Sequence, residues 1–162
     1  MAQPETVYLG LGSNTDARRH LRAAVEALKQ RFGKVECSPL YRSEAVGFSG
    51  DDFLNACCRI TTDLDPEALK AWLTDLEDRH GRRRDQPKFS DRSLDIDILL
   101  HGHRTGKFGD LNLPRGEILK YAHVLKPLTD LAPDLEHPQT RKTFARHWQE
   151  FQGDRTLTPV NW

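Results

Sequence analysis

Apolar residues change their spacing several times along the chain, and each change predicts an element. Thr6-Val-Tyr-Leu-Gly-Leu11 is short, apolar and rich in β-formers, and Gly12-Ser13-Asn14 stops it, so it reads as a buried strand. The spacing then turns helical: Leu21, Ala24, Val25, Leu28 and Phe32 share a face, predicting a helix over 16–32. Ser13 to Asp16 supply N-cap candidates and Gly33 suits the end. Val35, Cys37 and Tyr41 mark a second extended segment, which Pro39 places at an edge or a bulge. Beyond a loop at 47–52, Phe53 to Thr62 reads as a third strand. Asp65-Pro66-Glu67 is a helix start, with the cap at Asp65, and Leu69, Trp72, Leu73 and Leu76 form the apolar stripe behind it. Ser93 to Leu100 is a fourth strand. A short extended piece at Leu111 to Leu113 and helices near Val124 to Leu131 and Lys142 to Phe151 complete the pattern.

The order β-α-β-β-α-β is that of a split βαβ arrangement. It predicts an α+β, ferredoxin-like βαββαβ sandwich, with two helices on one face of an antiparallel sheet. The C-terminal helices are available for the other face, so helices are expected on both. No repeat, low-complexity tract or linker interrupts the chain, and residues 1–162 read as a single domain.

Composition narrows the setting. At 162 residues, 37% hydrophobic and 30% charged, the chain has the make-up of an ordinary globular protein. No run approaches the ~18 apolar residues of a membrane span, so no membrane partner is expected. Met1 to Glu5 lacks the basic and apolar stretches of a secretory leader. Three cysteines, two of them adjacent, make no disulfide framework, and a cytoplasmic location follows. Cys57 and Cys58 read as buried inert thiols facing opposite ways. With 24 Lys and Arg against 24 Asp and Glu, the net charge is zero, which argues against a nucleic-acid partner.

That balance conceals a sharp local polarity. In Leu94-Asp-Ile-Asp-Ile-Leu-Leu100, strand alternation puts Leu94, Ile96, Ile98 and Leu100 on one face and Asp95 and Asp97 on the other, with Cβ atoms about 6–7 Å apart. Aspartate is disfavoured in strands and like charges repel. A solvated outer face is the plain alternative, which the strongly apolar surroundings make the weaker one. The pair suits Mg²⁺, a hard cation that takes one or two carboxylates plus substrate phosphates. Just upstream stand Arg79, Arg82, Arg83, Arg84, Lys88 and Arg92, opposed only by Asp85 and Asp91. A basic run alone is commonly solvated surface. Beside paired carboxylates it suits a clamp on phosphate oxygens, and the parts together suit phosphoryl-type transfer from a nucleotide. Other nucleotide motifs fail: there is no G-x-x-x-x-G-K-[ST], and Thr15 stands where Gly10-Leu11-Gly12 would need a third glycine. His101-Gly-His103 has too few companions for zinc, and Trp72 belongs to its helix stripe.

Leu9-Gly-Leu-Gly-Ser-Asn14, Tyr41-Arg-Ser43, Phe53-Leu-Asn-Ala56, Arg92-Ser-Leu-Asp-Ile-Asp-Ile-Leu99 and Leu125-Lys-Pro-Leu128 together resemble the 6-hydroxymethyl-7,8-dihydropterin pyrophosphokinase family of folate biosynthesis, from Thr6 to Asp134. The resemblance implies transfer of pyrophosphate from ATP to the pterin hydroxymethyl group with release of AMP. It also implies two Mg²⁺ ions on Asp95 and Asp97, and catalytic arginines at Arg82 and Arg92. Glu77, Arg82, Arg84, Arg92, Ile98 and Arg115 would contact ATP. Ser43, Val46, Phe53, Asn55, Asp95 and His123 would form the pterin site. The family pattern departs here at Phe89, Ser90-Asp91, Pro114-Arg115, Tyr121 and His123, where Trp, Gly-Pro, Pro-His, Arg and Phe are usual. These departures keep a second reading open: a pterin- or nucleotide-binding paralogue with weakened catalysis, or a kinase of a related pterin. A ferredoxin-like RNA-binding module is disfavoured, because such modules present stacking aromatics on their strands and only Phe53 stands so here. Small molecules are the expected partners, and the chain is expected to act as a monomer or weak dimer.

Overall fold

β1 (Glu5–Ser13) is the spine of the molecule, because its alternation supplies both cores: Val7, Leu9 and Leu11 face one side of the sheet and Tyr8 the other. The structure is a computed structural model that describes residues 3–81 and 91–162. β1 pairs antiparallel with β4 (Phe53–Thr62) and with β5 (Asp95–His101). Between β1 and β4 come α1 (Ala17–Phe32), β2 (Glu36–Cys37) and β3 (Leu40–Ser43), and α2 (Pro66–Arg79) joins β4 to β5. The chain continues through the hairpin β6 (Gly106–Phe108) and β7 (Leu111–Leu113), a 3₁₀ turn at Gly116–Leu119, α3 (Ala122–Leu131), α4 (Phe144–Glu150) and β8 (Thr158–Val160). The sheet runs β5-β1-β4-β3-β8, with β2 also on β4.

α1 and α2 pack Leu21, Leu28, Leu69 and Leu73 against Val7, Leu9, Ile96 and Ile98. On the opposite face α3 and α4 bring Leu125, Leu128 and Phe144 onto Tyr8, Cys57, Leu99 and Leu100. The expected sandwich, with an antiparallel sheet and helices on both faces, is the observed one. Among the described residues no helix is long and apolar enough to cross a membrane.

Beyond the added β6 and the 3₁₀ turn, four details differ from the sequence reading. Leu100 does not share a face with Ile96 and Ile98. Tyr8 pairs with Leu100 but Leu9 pairs with Ile98, so Leu99 is an extra residue, and this bulge turns both Leu99 and Leu100 toward the α3 side. The second strand is broken at Ser38-Pro39, where the Ser38 hydroxyl accepts the Cys57 N–H at 2.9 Å in place of a ladder carbonyl. β8 was not anticipated. It is short and carries Pro159, yet it pairs antiparallel with β3 at the sheet edge, where a missing donor is tolerated. Finally, α1 has no side-chain cap: Asp16 adopts φ 48° and its carboxylate pairs with Arg19 instead.

Candidate functional site

The two aspartates of β5 are accessible because of what stands beside them. Asp95 is registered opposite Gly12 and Asp97 opposite Gly10, so neither faces a neighbouring side chain across the ladder. A Cβ at Gly10 would meet the Leu99 side chain at 3.3 Å, and one at Gly12 would meet Asn55 Oδ1 at 3.5 Å. The space left open belongs to a cavity of about 560 Å³. A smaller cavity of about 230 Å³ adjoins it. Asp95, Asp97 and Arg115 line both.

The larger cavity collects every residue expected at the pterin site: Ser43, Val46, Phe53, Asn55, Asp95 and His123, together with Arg92. Asn55 is buried and its side-chain N–H groups are committed, to Ser43 Oγ at 2.8 Å and to the Tyr41 carbonyl at 3.3 Å. Phe53 sits opposite Ser43 in register, and Phe48 meets it edge-to-face at 6.4 Å. His123 stacks on Tyr121 with ring centroids 5.2 Å apart. Burial holds the His123 imidazole below its ordinary pKa against the opposing pull of Asp95, so the ring is neutral at neutral pH. An apolar slot with a few polar readers suits a flat heterocycle.

The smaller cavity holds Glu77 and Ile98, both expected on the nucleotide side, and adds Lys70 and Thr74 from α2. Glu77 is buried, and one carboxylate oxygen accepts the Ile96 N–H at 2.8 Å, which ties α2 to β5. Arg115 joins the two cavities: Nη2 lies 3.5 Å from Asp97 Oδ1 and Nε 2.6 Å from Glu117 Oε2. Burial first, then the charge of Asp95, pushes the Asp97 carboxyl up to about 8, with Glu77 and Glu117 adding to the shift and Arg115 opposing it. Arg82 and Arg84, like Arg83 and Lys88, lie outside the described residues.

The sequence reading assigned Asn14 only to a motif, and here it has a mechanical task. Its N–H donates to the Arg92 carbonyl at 3.0 Å and its Oδ1 accepts the Arg92 N–H at 2.8 Å. Its Nδ2 donates to Asp91 Oδ1 at 2.7 Å and to the Asp51 carbonyl at 3.1 Å. Asn14 therefore clasps the backbone that delivers Arg92, itself only 9% exposed, to the cavity. Phe48, Glu117 and Lys120 line the cavity without having been singled out, since nothing in their spacing marks them. Gly10 and Gly12 looked like a failed dinucleotide motif, and only the register reveals them as the partners of the aspartates. Among the described residues no group of three or more His, Cys, Asp or Glu is arranged to hold a metal ion.

Residues 8–133 match the model of the family 7,8-dihydro-6-hydroxymethylpterin-pyrophosphokinase (HPPK). The chain is 33% identical to the 2-amino-4-hydroxy-6-hydroxymethyldihydropteridine pyrophosphokinase of Aquifex aeolicus, covering 95% of this chain and 94% of that one. It is 37% identical to the enzyme of the same name from Pseudomonas aeruginosa, over 85% and 86%. It is also 34% identical to the folic acid synthesis protein fol1 of Pneumocystis carinii over 96% of its own length, but spans only 21% of that protein. Among solved structures, Plasmodium falciparum HPPK-DHPS with pteroate superposes with a TM-score of 0.74 at 14% identity, over 93% of this chain and 45% of that one.

Proposed function

This chain belongs to the 7,8-dihydro-6-hydroxymethylpterin-pyrophosphokinase family, and from that premise we propose that it transfers pyrophosphate from ATP to the hydroxymethyl group of 6-hydroxymethyl-7,8-dihydropterin, releasing AMP, as a step of folate synthesis. The observation that carries the reading is the shared wall: Asp95, Asp97 and Arg115 stand between a cavity fit for a flat heterocycle and a smaller one. A substrate in each would meet at those three residues. In the larger cavity Phe53 and His123 border the pterin ring, and Asn55 with the chain from Ser43 to Val46 reads its polar edge. In the smaller one Glu77, Ile98 and Arg115 meet the nucleotide. The pterin hydroxyl oxygen then attacks the β-phosphorus and loses its proton to solvent, and the bond from that phosphorus to the oxygen it shares with the α-phosphate breaks, so that AMP leaves with that oxygen. Arg92 and Arg115 hold phosphate oxygens as negative charge redistributes in the transition state. Arg82 and Arg84 are proposed to act beside them.

Asp95 and Asp97 fit as the protein ligands of two Mg²⁺ ions. A raised Asp97 carboxyl marks a place where positive charge is in demand. Two carboxylates, with no third His, Cys, Asp or Glu grouped to hold a metal among the described residues, also match an ion that completes its shell with phosphate oxygens and water. Bound there, the metal would neutralise and orient the triphosphate. We read residues 1–162 as one domain, acting in the cytoplasm as a monomer or weak dimer on small molecules, without nucleic-acid or membrane partners. The decisive experiment identifies the nucleotide product after incubation with ATP, Mg²⁺ and 6-hydroxymethyl-7,8-dihydropterin. AMP in equal amount to the pterin diphosphate is expected. Formation of ADP, or tight pterin binding with no turnover, would overturn the assignment.

A further inference from the structure

The sheet carries, away from both cavities, a pair of thiols in contact. Cys37 of β2 is registered directly opposite Cys58 of β4. The adjacent position is the hydrogen-bonded one: Ser38 N–H donates to the Cys57 carbonyl at 2.9 Å, and Cys57 N–H to Ser38 Oγ at 2.9 Å. Hydrogen-bonded and open pairs alternate along an antiparallel ladder, so Cys37 and Cys58 occupy an open pair, where facing side chains approach most closely. The two Sγ atoms lie 2.9 Å apart, and bond formation at ~2.05 Å needs them to move by less than an ångström. Cα separations of an open antiparallel pair, about 4.5 Å, fall within the range that disulfides span.

The two thiols are unlike. Cys37 is half-buried at the end of a short strand and reachable from solvent, whereas Cys58 is fully buried. The hydrogen bond from Cys58 lowers the Cys37 thiol from its ordinary range, and nearby Lys29 adds to the effect; Cys58 is raised by the same partnership and by burial. Cys57 points into the opposite core beside Tyr8 and Leu100, out of reach of both.

We propose that Cys37 and Cys58 form a redox-modifiable pair, which a peroxide closes into a cross-strand disulfide between β2 and β4. The Cys37 thiolate attacks one peroxide oxygen: an S–O bond forms, the O–O bond breaks, and the leaving hydroxide takes a proton to become water. The Cys58 sulfur then attacks Cys37 Sγ: an S–S bond forms, the S–O bond breaks, and a second water leaves with the Cys58 proton. Two thiols lose two electrons in all, and hydrogen peroxide is reduced to two waters. The product staples the broken second strand to β4 just ahead of β3, whose Tyr41 and Ser43 face Asn55 and Phe53. A thiol reductant reverses it.

The test treats the full-length folded protein with hydrogen peroxide and reads intact mass and disulfide-linked peptides. The expected product is 2 Da lighter, carries a Cys37–Cys58 link, keeps one thiol that is alkylated only after denaturation, and returns to the starting mass with dithiothreitol. Cys58→Ser is expected instead to gain 16 Da at Cys37 in a form captured by dimedone. Cys37→Ser, altering the less buried partner, is expected not to react at Cys58 in the folded state. Successive oxygen additions at Cys37 of the unaltered protein without cross-linking, a link involving Cys57, a link between two chains, or no reaction would each overturn the proposal.

Discussion

Asp97 is under strong electrostatic tension: burial, Asp95, Glu77 and Glu117 work against its charge, and among the described residues Arg115 works for it. Its folded pKa of about 8 lies above the 3.8 of an unperturbed aspartate. In metal-free buffer the charged form therefore weakens the fold: the loss begins as pH rises past the unfolded value and is complete above the folded one. Asp97→Asn should flatten that decline between pH 4 and pH 8, giving a Tm above that of the unaltered protein at pH 8, while turnover falls by about 10²–10³-fold for loss of one preorganised electrostatic group. Thermal melts across pH, set beside AMP release, check both halves; a lower Tm for the variant at pH 8 would refute the account of tension. His123 tests the opposite quality, neutrality. Its pKa lies below the ordinary 6.5, so pterin affinity should stay level from pH 8 down to 6.5 and weaken only as the ring gains a proton. His123→Phe should keep that affinity within a few-fold and lose its dependence on pH, whereas His123→Ala should weaken it by about tenfold, the worth of one stacked ring. Fluorescence titration of the pterin at several pH values separates these outcomes.

The elements hold this chemistry through a few crossing contacts. Asn14, just past the end of β1, holds the chain that leads from Asp91 and Arg92 into β5. Asn14→Ala removes the side-chain bonds to the Arg92 N–H, Asp91 and the Asp51 carbonyl while its own backbone N–H keeps the Arg92 carbonyl, and a stability loss of about 1–3 kcal/mol is expected from the groups left unsatisfied. Because Arg92 then reaches the cavity from a looser base, kcat should fall more than the KM for pterin rises; an equal change in both would point to a general loss of structure. At the opposite edge β8 closes the sheet, and the Trp162 indole N–H donates to the Ser38 carbonyl at 3.0 Å. Trp162→Ala should cost about 1–3 kcal/mol in urea unfolding and leave turnover nearly unchanged, because Trp162 lines neither cavity. The same elements show how far a one-dimensional pattern reaches. α1 and α2 are long and periodic, so their apolar spacing announced them, and β1 and β4 are runs rich in β-formers bounded by turn residues. β8 has three residues and a proline, so neither length nor propensity could. The bulge at Leu99 inserts one residue into a continuous apolar run, where it alters the facing of Leu100 without altering the pattern. Asp95 and Asp97 stood out because charge is foreign to such a strand. Gly10, Gly12 and Asn14 act through partners on another strand or loop, and only register identifies those.

Across the whole molecule, 24 basic and 24 acidic residues cancel, yet the cancellation is far from uniform. Two cavities meet at one charged wall of Asp95, Asp97 and Arg115, so occupation of one changes the field in the other. With the smaller cavity empty, burial beside Asp95 holds Asp97 protonated up to about pH 8, with Arg115 Nη2 3.5 Å from its Oδ1. A metal-bound nucleotide would bring positive charge that favours the ionised Asp97 and would offer phosphates to Arg115. A pterin whose hydroxymethyl oxygen must approach the wall would then meet a better ordered border. Coupling of this kind is reciprocal and commonly worth 1–3 kcal/mol, about 5–150-fold in affinity. Calorimetric titration of the pterin should therefore show tighter binding in the presence of Mg²⁺ and a non-hydrolysable ATP analogue than with either alone. The analogue should in turn bind more tightly, by the same factor, once the pterin is present. Asp97→Asn removes the ionisable carboxyl through which the two cavities communicate and should shrink both enhancements together while leaving pterin binding without nucleotide intact at neutral pH, where the unaltered carboxyl is itself protonated. Equal pterin affinity with and without the metal-bound analogue in the unaltered protein would mean that the shared wall separates the substrates without coupling them.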